Sequence, residues 1–227
     1  MWQTIRSAVF GHHSHQNAYA AMVLSGGYEE AGDRGRFQVK AGDVVLHERF
    51  EAHINRFAAS GAVVFNLPLP DKDSFMPGWA SIADPDFIVR VAEKNKAEAA
   101  GLLLSTVTVR QAGFADWPDE LAADLMKNPS LSLLRWSEKR GLTPWGLSRG
   151  FMQVFGVSPS RFRARSRARH AWKAIQTNGK PLAQIAADLG FSDQPHMTRS
   201  VKELTGAVPL AWRTAANRFK TQRPISR

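Results

Sequence analysis

Residues 141–163 read GLTPWGLSRGFMQVFGVSPSRFR, and residues 190–213 read GFSDQPHMTRSVKELTGAVPLAWR. The two stretches follow one plan. Gly156, Pro159 and Arg163 return as Gly206, Pro209 and Arg213, each 50 residues on, while the opening glycines Gly141 and Gly190 lie 49 apart. A repeat of this length is a duplicated supersecondary unit. In the first copy Ser130–Lys139 reads as a short helix with Leu131 and Leu134 inward, and Gly141 permits a left-handed turn. Thr143 caps the next helix and Pro144 takes its first position. Leu147, Phe151 and Val154 recur at i, i+4 and i+7, which turns Trp145, Ser148, Arg149 and Gln153 outward. In the second copy Pro181–Asp188 is the short helix, with Leu182, Ile185 and Leu189 inward; Gly190 turns and Ser192 or Asp193 caps. Met197, Val201 and Leu204 then face a core and leave Gln194, His196, Thr198, Arg199 and Lys202 outward.

Helix, tight turn, second helix is the arrangement that lays the N-terminal residues of the second helix against base edges in the major groove. Between the copies, Ser158-Pro159 opens one long helix that reaches about Asn178-Gly179. At 1.5 Å per residue it spans roughly 30 Å, close to the roughly 34 Å between successive turns of one groove. Two reading helices on one chain could thus address adjacent major-groove segments. Arg161, Arg163, Arg165, Arg167 and Arg169 recur every second residue on that helix, so they spread around it. Some are expected at phosphates, and the others in solvent or paired.

Charge separates the chain in the same place. Residues 1–127 hold 12 Lys/Arg against 16 Asp/Glu, a net −4, whereas residues 128–227 hold 18 against 4, a net +14. A basic half joined to an acidic half implies modules with different partners, the basic one suited to a polyanion. The absence of cysteine excludes disulfides, thiolate metal sites and cysteine nucleophiles. The N-terminal residues lack the apolar run of a secretion signal, and no stretch approaches 18 apolar residues, so a cytoplasmic protein without a membrane span is expected.

The pattern G-L-T-P, L-S-R-G-F, G-V-S-P and F-R, followed by L-A-Q-I-A-A-D-L-G-F-S-D-Q-P-H-M-T-R and W-R, resembles the AraC/XylS family of bacterial transcriptional regulators over about residues 128–215. The resemblance implies an all-α DNA-binding domain at 128–227, with two helix-turn-helix units joined by a long helix. It implies double-stranded DNA as a partner, with RNA polymerase and a second copy of the chain as further ones. It places Trp145, Ser148, Arg149, Gln194, Thr198 and Arg199 at bases or phosphates. Three residues depart from the family pattern: Trp136, where a small residue is usual, and Gly146 and Gly150 inside the first reading helix. Each glycine costs about 1 kcal/mol against alanine, so the second reading helix is expected to set most of the specificity.

The first half reads as β structure. Ala18–Ser25 ends at Gly26-Gly27, Arg36–Lys40 and Val44–Leu46 flank a turn at Ala41-Gly42-Asp43, and Ala62–Leu67 stops at Pro68. Short strands with this punctuation indicate a sandwich or barrel. Five of the seven histidines, His12, His13, His15, His47 and His53, fall within 53 residues. The run His13-x-His15, then Gly42-Asp43 to His47 and His53-x-Asn55, resembles cupin-like sensor barrels. In metal-binding cupins a glutamate follows the His-x-His pair; here Gln16 to Ala20 stand there. Three readings stay open: imidazole ligands of a divalent ion, hydrogen-bonding groups of a pocket, or plain structure. A metal-free effector pocket is expected, lined by His13, His15, Tyr19 and His53, with Met22 and Phe65 as candidate apolar wall.

The expected class is therefore α+β: a cupin-like barrel at 1–75, a helical linker or dimerisation segment at 76–127, and the DNA-binding domain at 128–227. Leu67–Pro77 reads as a linker, and Asp84-Pro85 opens a helix with Phe87 and Val91 on one face and Ile88 as a further candidate for it. No catalytic set and no cofactor are expected. The alternatives are a metal-dependent cupin enzyme or metal-responsive sensor with a DNA-binding tail, and a nonspecific DNA binder.

Overall fold

The structure, a computed structural model, describes residues 1–70, 78–111 and 116–221. The chain forms two compact units: Met1–Ala123 with Gly150–Val157, and Asp124–Arg149 with the chain from Ser158 on.

The first unit is built on strands β1 (Trp2–Ile5), β2 (Ala8–Ser14), β3 (Tyr19–Gly32), β4 (Gly35–Lys40), β5 (Asp43–His47), β6 (Ala52–Pro68), β7 (Trp79–Ser81) and β8 (Thr108–Val109). β3 and β6 are its antiparallel spine. β1 and β2 pair with the far edge of β6, β4 and β5 with the far edge of β3, and β7 and β8 continue beyond β5. The expected closed barrel is corrected to an open sheet. Among the described residues the short strands β7 and β8 occupy the edge beyond β5 that a closing strand would need. A sheet-rich region followed by a helical one is the α+β layout read from the sequence.

Gly26-Gly27 does not end its strand. The β3–β6 register shifts between Val23 and Ser25, where β3 carries one extra residue, and again between Gly26 and Tyr28, where the extra residues lie on β6, and β3 continues through both. Gly26 has φ 69° and Gly61, next to its partner Ala62 on β6, has φ 66°. A Cβ on Gly26 would stand 2.1 Å from the Gly61 carbonyl oxygen. Only glycine allows both the left-handed backbone and this approach.

Strand alternation sorts the core into two faces. Ala20, Met22, Val44, Leu46, Phe65 and Leu67 pack against helices α1 (Pro85–Lys94) and α2 (Lys96–Thr106) through Ile88, Val89, Ala92, Ala99 and Leu103. Ala21, Val23, Tyr28, Phe37, Val39, Val45, Phe57 and Val64 fill the opposite face. Each large side chain so buried is worth about 1.5–3 kcal/mol. Met22 and Phe65 thus belong to the helix-covered face and are corrected as pocket wall. α1 starts as the sequence predicts, with Asp84 accepting from the Phe87 amide at 2.8 Å. Its buried face is Ile88, Val89 and Ala92, with Val91 partly buried against the same cluster; of the expected face Ile88 and Val91 pack inward, while Phe87 is 46% exposed. The linker expected over Leu67–Pro77 lies outside the described residues from 71 on.

Helix α3 (Trp117–Lys127) is followed by α4 (Leu133–Glu138), α5 (Pro144–Phe155), α6 (Pro159–Thr177), α7 (Leu182–Asp188), α8 (Gln194–Thr205) and α9 (Pro209–Thr221). The sequence repeat is repeated in hydrogen bonds. After α4 the Leu142 amide donates to Ser137 O at 3.0 Å and Gly141 to Glu138 O at 3.1 Å. After α7, Phe191 donates to Ala186 O at 2.9 Å and Gly190 to Ala187 O at 3.0 Å. Gly141, Gly156, Gly190 and Gly206 all have positive φ, as their turn positions require. Leu134 is 57% exposed, a correction to its inward reading; Trp136 is buried instead, its indole donating to Asp124 Oδ2 at 2.9 Å. Phe155 (0% exposed) takes the inner position expected of Val154, which is half-buried. Among the described residues no helix is long and apolar enough to cross a membrane.

Candidate functional sites

The second helix of each copy is positioned by its cap and its inner face. In α5 the Gly146 amide donates to Thr143 Oγ1 at 3.0 Å, and Leu147 and Phe151 are buried. In α8 Asp193, not Ser192, is the cap, accepting from the His196 amide at 2.6 Å, while Met197 and Val201 are fully buried. Those anchors fix what faces outward. Trp145 is 68% exposed, and the Arg149 guanidinium lies over its ring at 4.9 Å. Gln153, Gln194, Arg199 and Lys202 are exposed; Ser148 and Thr198 are half-buried. His196 is partly engaged within the chain: Nδ1 is 3.1 Å from Ser192 Oγ, and its ring meets Phe191 edge-on at 5.2 Å.

The arginines of α6 divide as alternation around a helix demands. Arg163 donates to Leu131 O at 3.2 Å and Arg167 to Gly190 O at 2.8 Å, tying the long helix to the connection before α4 and to the turn after α7. Arg161 is exposed, and Arg169 is 4% exposed. At least Arg163 and Arg167 therefore serve the fold of the domain before any phosphate.

The sheet unit holds a cavity of about 400 Å³ lined by His13, His15, Tyr19, Tyr28, Glu30, His47, His53, Asn55, Phe57, Val64 and others. His13 and His15 come from β2 and the residue after it, Tyr19 and Glu30 from β3, His47 from β5, and His53 and Asn55 from β6. The turn between β5 and β6 is held by Arg34, which bridges Glu48 and Glu51, and by the Glu48 amide donating to Glu51 Oε2 at 2.7 Å. It forces Phe50, 2% exposed, to φ 59°. This pinned turn sets His47 and His53 side by side, ring centroids 4.4 Å apart. His13 approaches His53 at 4.4 Å, and Tyr19 stacks on His47 at 4.5 Å. Asn55 Nδ2 donates to Glu30 Oε2 at 2.9 Å.

Burial governs the charge states here. It pushes His47 down to about 3, with His15, Arg34 and His13 adding to the effect, and holds His53 well below its ordinary value. His15 is lowered by burial and then by His13. Glu30 is pushed up to about 8 by burial, against the Asn55 hydrogen bond that favours its charge. At neutral pH His15, His47 and His53 are therefore held uncharged, and the Glu30 carboxyl resists ionisation.

The family model described as a helix-turn-helix domain matches residues 136–215. Residues 136–215 form a helix-turn-helix domain. A stretch of 72 residues is 35% identical to the arabinose operon regulatory protein of Salmonella typhimurium (strain LT2), covering 32% of this chain and 26% of that protein. The protein of the same name in Escherichia coli (strain K12) matches at 35% over 72 residues, 32% of this chain and 25% of the other. The match spans about a quarter of the length of these curated relatives. Among solved structures, a transcriptional regulator from Chromobacterium violaceum, described as an AraC-type DNA-binding domain-containing protein, aligns with a TM-score of 0.40 at 25% identity, over 43% of this chain and 88% of that one.

The outward residues read from the sequence all fall inside the helix-turn-helix domain, on α5 and α8. The four residues read for the sheet unit, His13, His15, Tyr19 and His53, all line one cavity. Glu30, His47 and Asn55 line it too, and sequence reasoning did not single them out as pocket residues. An acid does line the same cavity: Glu30, near the C-terminal end of β3.

Proposed function

We propose that this chain is a sequence-specific, DNA-binding transcriptional regulator of the AraC/XylS type, and that its sheet unit binds a small effector in the histidine-lined cavity. The observation that carries the reading is the doubled helix-turn-helix. The same turn hydrogen bonds occur twice, 49 residues apart, each followed by a capped helix with polar and basic residues outward. Arg149 and Arg199 suit guanine, which an arginine reads bidentately, and Gln194 suits adenine. Lys202 and the net +14 of residues 128–227 suit phosphates. The resemblance adds RNA polymerase and a second copy of the chain as partners, the latter through the helices of residues 76–127. Catalysis has no part in this reading.

Genome-wide mapping of bound sites followed by titration of one site against scrambled DNA at fixed salt tests it. A specific site should bind at least about a thousandfold tighter than scrambled DNA. Equal affinity for both would make the protein a nonspecific binder.

A further inference from the structure

Glu30, His47 and His53 stand on three different strands, yet one ligand atom from each lies within 4.8 Å of the others. Each residue is only 3% exposed. Two of their ring nitrogens, His47 Nε2 and His53 Nδ1, are buried without a hydrogen-bond partner. Buried polar atoms are rarely left so, and each exception needs an explanation. His47 Nε2 is 3.6 Å from Glu30 Oε2, too far for a hydrogen bond. That gap has the size of a metal site: two ligands at 2.0–2.2 Å from a tetrahedral ion are about 3.4 Å apart.

From this geometry we infer that Glu30, His47 and His53 bind one divalent first-row transition ion of the zinc, cobalt or nickel class. Two imidazoles and a carboxylate suit those ions; a site for calcium or magnesium would be built from oxygens, and one for copper(I) from sulfur. The surroundings are those of a ligand set already aimed. Asn55 donates to Glu30 Oε2 at 2.9 Å and orients the carboxylate. Tyr19 Oη lies 3.5 Å from His53 Nε2, which leaves Nδ1 as the unpartnered nitrogen. The turn pinned by Arg34 fixes the spacing of His47 and His53. A second group, His13, His15 and His53, shares one residue with the first and includes the exposed His15. His13 Nδ1 is engaged with Gly11 O at 2.8 Å, leaving its Nε2 open. The inner triad is assigned the ion because all three of its residues are buried and two of its nitrogens lack a hydrogen-bond partner, while His13 and His15 line the same cavity.

The metal site stands on this geometry alone; that the ion is the effector rests on the reading of the sheet unit as a sensor. The full chain, made without a histidine tag and stripped with chelator, is dialysed to equilibrium against zinc(II) or cobalt(II). Bound metal is counted by elemental analysis, and the cobalt form is read by visible absorption. One ion per chain is expected. Glu30→Gln and His47→Gln should each weaken binding more than about tenfold, and Asn55→Ala by about 10–100-fold. A His13→Gln/His15→Gln double variant should keep its ion. Failure of the folded wild-type chain to hold a stoichiometric ion overturns the inference whatever the variants do. So does an ion lost in the double variant and kept in His47→Gln. DNA affinity is measured on the same samples with and without zinc. A bound ion that leaves DNA affinity unchanged preserves the site and removes its sensing role. No ion, with DNA affinity shifted by an organic ligand, removes the metal and preserves the sensor.

Discussion

Arg199 and Lys202 stand three residues apart on α8, both exposed, and their chemistry separates two kinds of DNA contact. A guanidinium fork can hold two acceptors of one guanine, whereas an ammonium offers a point charge that suits phosphate. Arg199→Ala should cost about 1–3 kcal/mol of binding and relax preference at one base pair, and Lys202→Ala should weaken all sequences alike. Competition binding against a randomised site reads both; a larger loss of specificity from Arg149→Ala than from Arg199→Ala would reverse the ranking of the two reading helices. A second residue-scale test concerns acid. His170 on α6 is half-buried, and burial, then Arg169 and Lys173, lowers its pKa below 6.5. The unfolded chain therefore takes up the proton more readily than the folded one. The stability this group contributes is present above pH 6.5 and is lost as the pH falls through the window below it. His170→Gln should narrow the drop in Tm between about pH 7.5 and about pH 5.5; an unchanged drop would show that the charge at this position is indifferent to folding.

At the scale of elements, glycine does opposite work in β3 and α2. Gly26→Ala places a Cβ 2.1 Å from a backbone oxygen at φ 69°, and should cost on the order of 3 kcal/mol. Gly101 lies inside α2, and a methyl group added there would meet nothing within 4 Å, so Gly101→Ala should stabilise by about 0.5–1 kcal/mol. Urea denaturation of the two variants gives both signs directly. The same glycines explain what the sequence could disclose. The turns at Gly141 and Gly190 were legible because a left-handed turn between two apolar-periodic helices demands glycine. The helix-turn-helix followed from local rules alone. The cavity did not. Counting by twos from Tyr19 keeps odd-numbered residues on the cavity face as far as Val23, but the extra residue that β3 carries between Val23 and Ser25 transfers that face to Tyr28 and Glu30. Unbroken alternation would have pointed Glu29 inward and Glu30 to solvent. A bulge leaves no mark in a sequence beyond a glycine pair, and that pair reads more simply as a strand end. Leu134 failed for a different reason: Trp136 filled the inner position of a helix only six residues long.

Taken as a whole, the molecule carries its charge where its doubled motif lies, and this sets how binding must respond to salt. Residues 128–227 hold 18 Lys/Arg against 4 Asp/Glu. Arg163 and Arg167 spend hydrogen bonds on carbonyls within the domain, so the number of phosphates neutralised must fall short of the number of cations. With about six phosphates contacted, log affinity should fall against log salt with a slope of about −5. Lys202→Ala should make that slope shallower by about 1. The long helix α6 has 19 residues, roughly 30 Å at 1.5 Å each, and separates two reading units. If both units read DNA, the full chain should protect two successive major-groove segments on one face, about 10 base pairs apart. Hydroxyl-radical footprinting of a mapped site resolves the spacing. Protection confined to a single groove segment, with a slope of about −2, would mean that only one unit docks, and the glycines at 146 and 150 would then mark the first reading helix as the one left off the DNA.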